Sequence, residues 1–530
     1  VNSFKYQWYG KGEVSAAATI IFDILSIMTF VSIILQFGYN FPLDVILHYI
    51  IPGAVVGVVL GNAAYIWLSF NLAKKIHKQV TAMPFGLDAP SAIGFAVCII
   101  GPSYSLLFNQ SHDAHAAAIA AWEIGVFCLF IVGLIKLFSS IFVIKIKSII
   151  PQAVLLGAIG GVAIALIGFI PLISIFRNPL VGILSFAIVF MTMFGRIILP
   201  FRLPGIPTAI ILGTVIYYLL LPTGLVGSHE HNFQAITFAL PHVSWSFIKY
   251  LDQTIQFIPL VIPFALLVIF GAMSSVESAN CLGDTYNIRD IVVIDSLATI
   301  ISSLCGGVLQ TTPYAGFPAY KKFHAHSGYL FYTVIIVGIG GLLNIVGIIV
   351  NTVPEAVIAP VLLYVAFEIT QQGFLHSERK YYPVLILSFF PSIAKLLQIK
   401  LSDGTLIDPA KFEQMNLTHL SPIISEHLSI VMLSNGFIIT GMLWGSLLFF
   451  IMDRKWKSAI ISTLILSIFS LFGIIHSIYI TGEVYLPNLL PPTLRFIPIS
   501  VALGYLLFGV SIFLLSLMKV NKKVHYWDEE

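Results

Sequence analysis

Apolar residues recur along this chain in runs of about 20, the length a helix needs to cross the hydrocarbon of a bilayer. The runs predict spans near 15–37, 46–72, 90–108, 115–139, 150–171, 178–199, 205–223, 255–282, 290–309, 314–327, 328–352, 355–375, 381–398, 429–452, 457–481 and 496–519. The third and tenth are short and open on prolines. Residues 79–91 contain Pro84, Gly86 and Pro90. They cannot continue a helix, because proline removes a donor and its ring clashes with the preceding turn. A helix can restart at Pro90, with Asp88 or Ala89 at the cap. Residues 309–320 have the same character, with Thr311, Thr312, Pro313, Tyr314, Gly316 and Pro318 as a weak copy of Thr81, Pro84, Phe85, Gly86 and Pro90.

Basic residues orient the spans. Lys74, Lys75, Lys78, Lys145, Lys147, Arg196, Arg202, Lys321, Lys322, Arg379, Lys380, Arg454, Lys455, Lys457, Lys519, Lys522 and Lys523 all fall on one side if both termini are cytoplasmic. The opposite loops hold mainly His, Asn and Ser, with scattered Arg177, Lys249, Lys400 and Lys411. This is a positive-inside pattern with both termini inside. The first break then enters from the cytoplasm and the second from outside, so the two are related by inversion.

Composition supports lipid as the main solvent. Apolar residues make up 58% of the chain and charged residues 10%, with a mean hydropathy of +0.96. Ordinary globular domains carry roughly a quarter charged residues, too many for this chain to match. The expectation is a multi-pass protein of the plasma membrane (the inner membrane in a bacterium), with no removable signal at the N-terminus. The four cysteines sit singly in apolar stretches and read as small buried hydrophobes. Nothing has metal-ligand spacing, so no metal or cofactor is expected. A net charge of +3 gives no reason to expect a nucleic-acid partner. There is no phosphate-binding loop and no nucleophile–base pair, which argues against a nucleotide-driven pump or an enzyme.

Two half-helices whose N-termini meet at mid-depth present free N–H groups and partial positive charge there, the design of a transporter site between inverted repeats. A charge at bilayer depth costs roughly 2.5–3.5 kcal/mol, so each intramembrane carboxylate needs a partner, a cavity or a proton. Glu277, in the polar island Ser274–Asn280, reads as a proton carrier or an acceptor for a solute donor. Asp23 stands alone in the first span and is the second proton-coupling candidate. Glu123, Asp295 and Glu368 read as structural ties. Phe85, Tyr314 and Phe317 flank the breaks, where a planar ligand could stack. The candidate solute-binding set is Glu277, Phe85, Gly86, Asp88, Thr311, Thr312, Tyr314, Ala315, Gly316 and Phe317.

Val80–Ser91, Gln310–Lys321, Val276–Ala279 with Gly283–Asn287, and Ser434–Gly436 resemble the xanthine/uracil permease-like branch of the nucleobase–cation symporter-2 family. The resemblance covers most of the chain. It implies an all-α membrane fold of two inverted seven-helix repeats with discontinuous third and tenth spans. A core domain would comprise residues 1–145 (spans 1–4) and 251–352 (spans 8–11). A gate domain would comprise 146–250 (spans 5–7) and 353–452 (spans 12–14). Residues 453–530 would add two extra C-terminal helices and a cytoplasmic tail. Glu277 matches the eighth-span glutamate that binds the base in such proteins. The resemblance implies proton-coupled symport of a nucleobase-like solute by alternating access, with Na+ as the other candidate ion, and suggests a homodimer. The same fold could instead carry an anion or another small organic solute. A non-transporting membrane receptor is the third reading.

Overall fold

The structure, a computed structural model, describes residues 6–10, 12–149, 151–200, 205–227, 238–243, 245–255, 257–314, 317–375, 377–401, 426–480, 482–492 and 494–517. Apolar composition and the absence of lipid-facing polar backbone drive the chain into helices. The first repeat holds α1 (Glu13–Tyr39), α2 (Leu43–Ile76), strand β1 (Phe85–Leu87), α3 (Ala89–Ser111), α4 (Ala114–Ile149), α5 (Ala153–Arg177), α6 (Pro179–Met193) and α7 (Gly205–Thr223). The second holds α8 (Ile258–Cys281), α9 (Ile288–Leu304), strand β2 (Thr311–Pro313), α10 (Phe317–Lys322), α11 (Gly328–Leu342), α12 (Glu355–Leu375), α13 (Arg379–Leu401) and α14, bent by 85° between Glu426–Ser434 and Phe437–Met452. Two extra helices follow, α15 (Trp456–Leu471) and α16 (Phe496–Leu517). Among the described residues ten helices are long and apolar enough to cross a bilayer, or up to eleven with the bent pair, and the chain is a multi-pass membrane protein.

The breaks fall where the prolines and glycines predicted them, with two differences. The third span is not short: α3 runs for 23 residues, through a π-helical turn at Ala96–Ile100, and only its entry is extended. The tenth is shorter than expected, a helix of six residues.

The chain packs as two units. Residues 1–147 and 171–364 form the first, and 148–170 with 365–530 the second. In the first, a stripe of Gly53, Gly57 and Gly61 along one face of α2 lets other chain segments approach closely. A Cβ on Gly53 would lie 2.0 Å from the Gly307 nitrogen, one on Gly57 2.6 Å from the Ser302 Cβ, and one on Gly61 2.0 Å from the Phe85 ring. The Ser302 hydroxyl donates to the Gly53 carbonyl at 3.0 Å, and the Tyr65 hydroxyl to the Ile291 carbonyl at 3.0 Å, tying α2 to α9. In the second unit, α14 breaks at Asn435–Gly436. Gly436 adopts φ +69, and the Asn435 amide donates to the Ser477 and Tyr479 carbonyls at 2.9 and 2.7 Å. The extra helices pack on each other, and α15 packs on α14. There the Tyr505 hydroxyl joins the Trp444 indole N–H (2.8 Å) to His476 (2.9 Å).

Candidate functional site

The two breaks pair with each other. β1 and β2 run antiparallel, with Phe85 opposite Pro313, Gly86 opposite Thr312 and Leu87 opposite Thr311. The Tyr314 N–H donates to the Pro84 carbonyl at 2.8 Å and the Asp88 N–H to the Gln310 carbonyl at 2.9 Å, extending the ladder at both ends. Each break thus supplies the main-chain partners the other lacks, the condition for non-helical backbone at membrane depth. The strand pair is level with the middles of its neighbours. Phe85 sits on Gly61, midway along α2, and Thr311 lies against Asp295 and Thr299 in the middle of α9.

α3 starts at this junction. The Asp88 carboxylate caps it by accepting the Ser91 N–H at 2.9 Å. Pro90 has no N–H, and that of Ala92 goes to the Asp88 carbonyl at 2.8 Å. The helix end therefore offers a solute at most the Ala89 amide together with the helix dipole. That is less than two open half-helix termini would provide.

Beside the cap, Tyr314 lies across Gly86. A Cβ on Gly86 would be 2.3 Å from the Tyr314 hydroxyl oxygen and 3.0 Å from Ile24. The hydroxyl is buried and interacts with the Asp23 side chain and the Leu87 main chain. It faces the carboxylate of Asp23 on α1, which is exposed. Asp88, half-buried, is within electrostatic range of Asp23, Asp295 and Lys136. The Gln310 side chain is fully buried, and neither of its amide atoms is hydrogen-bonded among the described residues.

Behind β2 lies a fully buried ion pair. Lys136 on α4 and Asp295 on α9 approach to 2.7 Å, both 0% exposed. The Lys136 ammonium also donates to the Thr299 hydroxyl at 2.8 Å and the Thr311 carbonyl at 3.1 Å. The Thr311 hydroxyl donates to the other Asp295 oxygen at 3.1 Å and lies 2.8 Å from that of Thr299. These contacts bind α4, α9 and β2 into one polar knot.

The chain leading into β1 is held by a second network. The Thr81 N–H donates to Asp284 at 3.1 Å and Lys321 reaches the same carboxylate oxygen at 2.5 Å. The Tyr286 and Tyr329 hydroxyls donate to the Thr81 and Ala82 carbonyls, each at 2.7 Å. Glu13, 3% exposed, accepts the main-chain N–H groups of Gly10, His326 and Tyr329 at 2.7, 2.5 and 2.5 Å.

The sequence-predicted residues separate accordingly. Gly86, Asp88, Thr311, Thr312, Tyr314 and Asp23 converge on the strand pair. Phe85 and Phe317 are each 0% exposed, so their rings pack inside the protein. Glu277 is exposed on α8, half a turn beyond Ser275, whose hydroxyl donates to the Pro313 carbonyl at 3.0 Å. Ala315 and Gly316 lie outside the described residues. Sequence reasoning missed Lys136. The signal was there, a lone lysine inside the apolar run 115–139, and intramembrane lysines mark function or pairing as surely as carboxylates do. It also missed Glu13 and Asp284, which lie at helix ends where acidic residues are ordinary.

No family model and no curated protein matches this sequence. Solved structures do. The transmembrane domain of BicA, a bicarbonate transporter of a cyanobacterium, matches with a TM-score of 0.51 at 15% identity, over 74% of this chain and 99% of that one. SLC26A9 matches with a TM-score of 0.50 at 13% identity, over 72% of this chain, which spans 62% of the SLC26A9 chain. Both have the inverted-repeat core-and-gate fold, and that is the fold of this chain. Both belong to SLC26/SulP, a family distinct from nucleobase–cation symporter-2, and this overturns the resemblance drawn from the motifs. The segments that carried the resemblance, Val80–Ser91 and Gln310–Lys321, contain the strands of the paired break.

Proposed function

We propose that this chain is a secondary transporter that carries a small anion across the bilayer by alternating access and takes up a proton on Asp23 with it. The observation that carries the reading is the Tyr314 hydroxyl, buried at the junction of the two breaks and set against the Asp23 carboxylate. The fold likeness to a bicarbonate transporter supports an anion over a nucleobase. The local charges supply the coupling. Lys136 is bound to Asp295 and reaches Asp88 only at range, and no cation acts on Asp23 among the described residues. An anion entering there meets like charge unless a carboxylate takes a proton. With Asp23 ionised, the Tyr314 hydroxyl has a carboxylate to turn to; with Asp23 protonated, it is free to donate to the solute, alongside the Ala89 amide and the α3 dipole. Thr312 lies across the ladder from Gly86 while Thr311 serves the knot behind β2, and Glu277 is a second proton acceptor on α8. In this reading both termini are cytoplasmic, and residues 1–145 with 251–352 move as the core.

The test is uptake of radiolabelled bicarbonate and sulfate into proteoliposomes with an inward proton gradient, for wild type, Asp23→Asn and Tyr314→Phe. One anion should accumulate in wild type. Asp23→Asn should retain exchange and lose the response to the gradient. Tyr314→Phe should weaken apparent affinity about tenfold or more, the worth of a hydrogen bond to a charged group. Failure of folded, reconstituted wild type to move either anion refutes the proposal, as does gradient-driven uptake that survives Asp23→Asn.

A further inference from the structure

The Lys136 ammonium has three N–H groups, and the structure gives it three oxygens: an Asp295 carboxylate oxygen at 2.7 Å, the Thr299 hydroxyl at 2.8 Å and the Thr311 main-chain carbonyl at 3.1 Å. A carboxylate, a hydroxyl and a carbonyl from unwound backbone beside a broken span form the kind of donor set that holds a free monovalent cation in membrane transporters. The place is closed, with both charged side chains 0% exposed, and Asp88 adds a further negative charge within range. The side chain reaches it from α4, which contributes none of the three oxygens.

We propose that the Lys136 ammonium is a tethered cation filling a monovalent-cation site built by Asp295, Thr299 and Thr311, and that truncating this lysine opens the site to a small cation from solution. In the native protein the charge cannot leave. β2 is therefore held against α9 at every stage of the cycle, without help from a Na+ gradient at this position. The lysine is a positioning residue: it fixes the strand whose partner β1 leads into the α3 cap. The inference concerns a site behind the strand pair and stands whether or not the solute is an anion.

The experiment compares thermal unfolding of the full-length protein in detergent for wild type, Lys136→Ala and the double variant Lys136→Met/Asp295→Asn. Each is measured in choline, ammonium, methylammonium and sodium chloride at one ionic strength. Wild type should unfold at the same temperature in all four. Lys136→Ala should unfold several degrees lower in choline, whose cation is too bulky for the vacated space. At least one of the small cations should restore it saturably, as ligand binding to the folded state requires. The double variant removes the carboxylate as well, so it should lose less stability in choline and show no cation dependence. Equal unfolding of Lys136→Ala in every salt overturns the proposal, and so does the same salt response in the double variant or in wild type. Lys136→Ala that cannot be recovered folded even when produced and purified in ammonium, while the double variant can, also overturns it.

Discussion

Replacing Gly86 by alanine separates steric from conformational causes at the junction of the breaks. Gly86 does not use a positive φ, so an L-residue is tolerated by the backbone, and the whole effect comes from what the new methyl meets. That is the Tyr314 hydroxyl oxygen at 2.3 Å, its ring carbon at 2.7 Å and Ile24 at 3.0 Å. To reach ordinary contact the hydroxyl must retreat by about 1 Å, beside a strand pair whose ladder is extended at both ends, and overpacking of this kind costs about 1–3 kcal/mol. Gly38 in α1 is the control. A Cβ there meets nothing within 4 Å, and alanine is a better helix former by up to about 1 kcal/mol, so Gly38→Ala should be neutral or stabilising. Unfolding free energies in detergent would be compared for Gly86→Ala, Tyr314→Ala and the double variant. Tyr314→Ala removes the obstacle, so adding Gly86→Ala to it should cost less than about 1 kcal/mol, a coupling readable from the cycle. Gly86→Ala no worse than Gly38→Ala, or strictly additive with Tyr314→Ala, would refute the contact on which the Tyr314 assignment depends.

Two further changes probe the supports of the junction. Glu13→Gln replaces a buried carboxylate that accepts three main-chain N–H groups with an amide that has a single acceptor oxygen. Hydrogen bonds to charged groups contribute about 1.5–3 kcal/mol, so hydrogen exchange at His326 and Tyr329 should accelerate while exchange in α14 stays as it was, and unchanged exchange at both amides would count against the network. Asp88→Ala removes the α3 cap and should lower stability by about 0.5–2 kcal/mol, whereas Asp88→Ser, which can still accept the Ser91 N–H, should recover most of it; equal losses would show that the charge, and not the cap, is what matters.

The spans, both breaks and the two extra helices were legible because they depend on local signals: apolar runs, Pro84, Gly86 and Pro90, and Pro313 and Pro318. The Asp88 cap was legible for the same reason. What escaped was long-range. That β1 would pair with β2 follows only once both breaks are known to need partners at the same depth, and the register could not be read at all. Phe85 was expected to face a ligand because it adjoins the break, but a glycine on another helix, Gly61, makes the space its ring fills. Lys136 was overlooked although its type and setting were visible; its partner lies on α9, and single-sequence reasoning has no means of joining the two. The third span ran longer than expected because α3 continues through Asn109, Gln110 and Ser111, polar residues that hydropathy excludes but a helix end accepts.

The family resemblance failed for a reason that bears on the solute. A paired break makes demands of its own: prolines to end the helices, a glycine where Tyr314 crosses β1, and polar hydroxyls to satisfy the backbone and the buried charges behind β2. In this chain the motif residues answer those demands, so a motif that spans the break reports the architecture before it reports the cargo. Discrimination between a neutral planar base and an anion depends on the groups left over once the backbone is satisfied. Here the α3 terminus is largely consumed by Asp88 and Pro90, the rings of Phe85 and Phe317 are buried, and the groups left at the strand pair include the Tyr314 hydroxyl, the Gln310 side-chain amide and the carboxylates of Asp23 and Asp88. With Phe85 and Phe317 buried, the half-buried Tyr314 ring is what is left of the three expected to stack on a base. In the proposed reading, the Tyr314 hydroxyl beside the Asp23 carboxylate serves a small solute whose negative charge enters as the carboxylate's is neutralised.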